Sequence, residues 1–143
     1  MRLHIFLLAS GLLILSNSSV FAEPITGKWL THRARSMINI TRCGAGLCGQ
    51  IIWLRNKLNS LGQPMRDERN SNKHLRSRRV LGLTTFSGLT LSGPGRWSGL
   101  MYNPNDGGTY NASLTFTSAG SLQVEGCLMG SNLCGRRNWT RAK

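Results

Sequence analysis

Two cysteine pairs constrain this chain more than any other feature. Cys43 and Cys48 bracket Gly-Ala-Gly-Leu, and Cys127 and Cys134 bracket Leu-Met-Gly-Ser-Asn-Leu. Each pair encloses the glycine that a tight reversal needs, and the first runs on into the apolar stretch Ile51-Ile-Trp-Leu54, so it reads as a disulfide-closed hairpin. The spacings C-x4-C and C-x6-C lack the C-x2-C pairs of a zinc ribbon. Disulfides are therefore expected rather than a metal, and with them an oxidising compartment.

The segments around these turns read as short strands. Gly27–Thr31 is a first strand, Met37–Cys43 alternates apolar and polar residues, and Cys48–Leu54 carries bulk on both faces. Val80–Phe86 is expected as the fourth strand, followed by glycine and proline turn signals over Ser87–Pro94. Gly95–Tyr102 comes next, and Asn103–Gly108 is a turn. Thr109–Thr117 sets Ala112, Leu114 and Phe116 on one face, Ser121–Cys127 points Leu122, Val124 and Gly126 inward, and Arg136–Arg141 is the last strand. Eight strands without a convincing helix predict an all-β, antiparallel up-and-down barrel, which leaves no edge exposed.

Strand direction adds a consequence. In an up-and-down meander the Cys43–Cys48 turn lies at one end and the Cys127–Cys134 turn at the other. Strands of about seven residues separate those ends by roughly 20 Å, whereas bonded cysteines need Cα atoms within about 7 Å. Pairing is then sequential, Cys43 with Cys48 and Cys127 with Cys134. The same count puts Arg141 beside Trp29 at the lower end, with an arginine over an indole closing the barrel.

Residues 1–22 read as a secretory signal peptide, with Arg2, an apolar Ile5–Leu15 and cleavage after Ala22, which leaves a single barrel domain over residues 23–143. No later run is apolar enough for a transmembrane segment, so a periplasmic or secreted protein is expected. The formal net charge is +13, and a long stretch from Arg55 to Arg79 holds eight Lys/Arg against Asp67 and Glu68. That balance points to an anionic partner or to a solvated surface. The stretch has no aromatic residue to stack on bases, and export removes the usual partner, so specific nucleic-acid binding is not expected.

Chemistry-bearing patterns are sparse. The chain has neither G-x-S-x-G nor H-E-x-x-H, and beyond residue 22 only His32 and His74. Asp106 sits in the turn sequence Asn-Pro-Asn-Asp-Gly-Gly and reads as a turn former. No enzyme, no cofactor and no metal are expected.

Gly27-x-Trp29, the Cys43–Leu54 segment, Asp67-x-x-Asn70, Leu75-Arg76-x-Arg78, Leu81-Gly82-Leu83, the Gly126-Cys127 pair and Trp139-Thr-Arg141 together resemble the secreted bacterial proteins grouped as domain of unknown function 2147. Arg79 departs from that pattern, where proline is usual. The resemblance implies a lipocalin-like barrel exported by a bacterium and implies no activity. Two readings follow. One is a non-enzymatic carrier of a small apolar or amphiphilic anionic ligand, with Asp67, Asn70, Arg76, Arg78, Trp53, Trp97 and Tyr102 as candidate ligand- or partner-binding residues. The other is a filled barrel that docks on an anionic envelope surface through residues 55–79. Interior side-chain size separates them, since Trp53, Phe86, Trp97 and Phe116 all pointing inward would leave no cavity.

Overall fold

The computed structural model describes residues 25–143, so the signal-peptide assignment for residues 1–22 lies outside the described residues. Eight strands run in chain order as β1 (Gly27–Leu30), β2 (Ser36–Cys43), β3 (Gly46–Leu54), β4 (Thr84–Gly93), β5 (Arg96–Asn103), β6 (Gly108–Ser118), β7 (Ser121–Leu128) and β8 (Cys134–Arg141). Each strand pairs antiparallel with the next, and β8 returns to β1 to close the barrel. The only helical turns among the described residues are 3-10 turns at His32–Ala34 and Lys73–Leu75. No helix among them is long and apolar enough to cross a membrane.

The period-two pattern sets which residues face inward. In β6 and β7, Leu114 lies opposite Val124 and Ala112 opposite Gly126, while Ser113 faces Glu125 on the alternate phase. Across β7 and β8 the inward phase continues as Leu122 with Trp139 and Val124 with Arg137, and on the outer phase Glu125 accepts a hydrogen bond from the Arg136 guanidinium. That bond, with the positive charge behind it, holds the Glu125 carboxyl below the usual carboxylate range.

The fourth strand differs from expectation. It starts at Thr84 and runs to Gly93, because Val80–Leu83 forms a turn in which Leu83 N–H donates to the Val80 carbonyl and Gly82 takes a φ of 91°. The glycine signal at Ser87-Gly88 marks a bulge instead of a reversal. Between the pairs Gly49↔Phe86 and Leu47↔Leu89 the β4 side carries one residue more than the β3 side, and Gly88, at φ 76°, absorbs it. The reversal comes later, at Pro94-Gly95.

Large side chains concentrate at the lower end. Trp29, Leu47, Leu89 and Leu114 are fully buried, and Trp97 and Phe86 nearly so. Phe116 meets Trp29 edge to face at 6.4 Å between ring centroids. The Trp29 indole N–H donates to the Ile25 carbonyl at 2.8 Å, and the Arg141 guanidinium lies 4.2 Å over the Trp29 ring. The upper end receives the link from β1 to β2, the long loop before β4, and the turns after β5 and β7.

The disulfides join Cys43 to Cys48 and Cys127 to Cys134, one at each end. Both are local, so each constrains only a short loop of the unfolded chain. On the chain-entropy relation each contributes about 2 kcal/mol. A Cys43→Ser/Cys48→Ser variant should melt lower yet keep its β circular-dichroism spectrum, whereas Trp29→Ala, which empties a fully buried site, should cost about 3–5 kcal/mol. Chemical denaturation of the two variants checks the order.

Candidate functional site

Above the aromatic floor the inward positions shrink. Ala112, Gly126 and Gly135 face one another across the upper part of β6 to β8, with Val124 one inward step below, and side chains this small leave a cavity of about 790 Å³ toward the upper end. Ile38, Ile51, Leu54, Val80, Met101 and Trp139 supply apolar walls. Trp97, Phe86 and Phe116 do not line it; they lie in the filled half. Trp53 pairs with Met37 on the outer phase of β2 and β3, because a register shift beside Ile38 separates it from the inward Ile51. The barrel is thus not filled by its own aromatic residues.

The long loop folds against the barrel around one carboxylate. Asp67 is completely buried. Its Oδ2 accepts from Asn70 Nδ2 at 2.8 Å and Arg78 Nε at 2.8 Å, and its Oδ1 accepts from the Tyr102 hydroxyl at 2.5 Å. Arg78 also lies 5.5 Å over the Tyr102 ring. Arg76 Nε donates to the Asn70 carbonyl at 2.7 Å. Burial, and the hydrogen bond to Asp67, push the Tyr102 hydroxyl up to about 12.

The same loop leans on the turn after β5. Arg69 Nη1 donates to the Asn105 carbonyl at 2.7 Å. Gly107 sits at φ 74° with the Arg69 carbonyl so close that a β-carbon would collide with it. Only glycine fits there. Arg66 likewise donates to the Ser77 carbonyl. Four arginines of the basic stretch are therefore engaged in folding the loop itself. Of the candidate ligand-binding residues named from sequence, Tyr102 alone lines the cavity; Asp67 and Arg78 touch Tyr102, and Asn70, Arg76, Trp53 and Trp97 are not part of the lining.

Other polar groups line the mouth. His32, Arg33 and Arg35 come from the link between β1 and β2, and Arg137 from β8, where it takes an inward position opposite Val124. The phase of β8 could have flagged Arg137. Nothing local marks the link, because it reaches the mouth only through barrel closure. On the far side, Asp106 accepts from Asn103 Nδ2 at 3.0 Å, the Gly108 N–H at 2.7 Å and the Tyr110 hydroxyl at 2.5 Å. The hydrogen bond to Asp106 raises the Tyr110 hydroxyl above its ordinary value. Among the described residues no group of three or more His, Cys, Asp or Glu converges to hold a metal.

A closed, eight-stranded antiparallel barrel, filled below and hollow above, is a lipocalin-like fold. The solved structures include a match in Helicobacter pylori protein HP1028, described as belonging to the lipocalin family, with a TM-score of 0.70 and 21% identity over 83% of each chain. Residues 27–141 match the family described as "uncharacterized protein conserved in bacteria", DUF2147. The chain belongs to that family. No curated protein matches it.

Two measurements probe the Asp67 centre. The chain has two tyrosines, so in a Tyr110→Phe variant the phenolate absorbance reports Tyr102 alone and should titrate near 12, falling toward 10 when Asp67→Asn is added. Because folding raises this group above its unfolded value of 10, its contribution to stability is complete below pH 10 and disappears as the pH rises through about 12. Asp67→Ala leaves three donors without their acceptor and should cost about 2–4 kcal/mol in denaturant unfolding.

Proposed function

We propose that this protein is an exported, non-enzymatic carrier that holds a small apolar or amphiphilic molecule inside the barrel. The observation that carries the reading is the cavity of about 790 Å³ with aliphatic and aromatic walls, a size within the roughly 300–1,000 Å³ usual for small-molecule sites. Burial of each methylene in such walls contributes about 0.8 kcal/mol. Two local disulfides fit an oxidising compartment, and the apolar stretch Ile5–Leu15 with small residues at Ala22 supports export to the periplasm or beyond.

The test fills the cavity. Ala112 is nearly fully buried and lines it, so Ala112→Phe should project a ring into the empty space. An environment-sensitive apolar dye should bind the parent chain and lose at least about tenfold in affinity in the variant, a change of 1.4 kcal/mol. The melting temperature should stay near that of the parent. Dye affinity unchanged by the added ring would reject an interior site.

A further inference from the structure

We propose that Arg33, Arg35 and Arg137 form an anion site at the mouth, which takes the carboxylate or phosphate head of an amphiphile whose tail lies in the cavity below. The proposal rests on the carrier reading and names the ligand class for it. All three arginines line the cavity, from two segments that meet only when the barrel closes. None has a carboxylate within ion-pair distance among the described residues. Arg137 Nη1 donates at 2.7 Å to the neighbouring Arg136 carbonyl, which leaves the rest of its fork of donors uncommitted. Other arginines of this chain are placed differently, Arg136 on Glu125 and Arg78 on Asp67.

The remaining titratable groups facing the mouth do not cancel this charge. Asp106 is the carboxylate of the lining, held on the far side by Asn103, Gly108 N–H and Tyr110, and its single negative charge leaves the three arginines in excess. His32 stands on the arginine side, and the Tyr102 and Tyr110 hydroxyls stay protonated at neutral pH. A guanidinium fork matches the two oxygens of a carboxylate or phosphate, and two or three such forks around one opening favour an anion over a neutral or cationic head.

The backbone adds an independent observation. Arg33 and Ala34 are the non-glycine residues at positive φ among the described residues, at 58° and 48°. Left-handed backbone at consecutive L-residues is disfavoured, and such strain gathers at ligand clamps. Here it turns the link so that Arg33 and Arg35 both reach the opening. The same cavity is walled by Ile38, Ile51 and Trp139, so it presents an apolar lining beside the arginines, as an amphiphile requires.

Competition against the dye bound to the full chain tests this, with a straight-chain alcohol and the fatty acid, monoalkyl phosphate and alkylammonium of the same length. The acid or the phosphate should compete about tenfold better than the alcohol, and which of the two leads distinguishes a free fatty acid from a phosphate-bearing lipid. Combined Arg33→Ala, Arg35→Ala and Arg137→Ala should remove that preference and leave the alcohol unchanged, while Arg76→Ala should alter neither. Arg35→Glu with Arg137→Glu should favour the alkylammonium instead, a gain that misfolding cannot mimic. Equal competition by acid and alcohol, or a preference that survives the triple substitution, overturns the anion site and leaves the carrier standing. A parent chain that binds neither dye nor any of these amphiphiles removes the carrier reading and this one together.

Discussion

The barrel depends on its narrowest seam. β1 meets β8 over only Trp29↔Arg141 and Leu30↔Thr140, whereas the β5–β6 and β6–β7 seams run the length of their strands. So short a ladder cannot hold the closure by backbone bonds alone, and side chains complete it. Trp29 is fully buried, Arg141 covers its ring, and the Arg141 guanidinium donates to the carbonyls of Thr26 and Ala119 at 3.0 and 2.9 Å. A cation over an indole contributes roughly 0.5–2 kcal/mol, and the buried indole contributes its large apolar area besides. Gly27 belongs to the same device, since a β-carbon there would stand 2.9 Å from Arg141 Nη1.

The hollow upper half follows from the same economy of side-chain volume. Bulk gathers at the lower end, where Trp29, Leu47, Leu89 and Leu114 belong to one buried cluster with Phe116 packed against it. Farther up, the inward phase passes to Ala112, Gly126 and Gly135. An eight-stranded barrel is just wide enough to be filled or to hold one small molecule, so this change of residue size decides between the two states. Close packing and the open cavity are thereby placed at opposite ends of one sheet.

The basic loop illustrates how charge counted along a chain misleads about charge available in space. Arg66, Arg69, Arg76 and Arg78 each donate to an acceptor within the fold, and the fully buried Asp67 is the centre on which Asn70, Arg78 and Tyr102 converge. A buried carboxylate of this kind is strongly destabilising unless its lone pairs are filled. The loop is built to fill them. The guanidinium groups that line the mouth, those of Arg33, Arg35 and Arg137, come from elsewhere.

Much of the architecture was legible in the sequence because it rests on local rules. Alternation at Thr109–Thr117 and Ser121–Cys127 has the period of a strand whatever the neighbours do, and short cysteine loops at opposite ends of a meander pair sequentially. The fourth strand was misplaced because a glycine at positive φ has the same local signature in a turn and in a bulge, and only the partner strand tells them apart. The cavity, the burial of Asp67 and the gathering of Arg33, Arg35 and Arg137 were decided by the tertiary structure alone. Each depends on which residues stand at the same height on strands far apart in sequence. That height is set by the stagger with which the sheet closes on itself, a property of the whole ladder that no single segment carries.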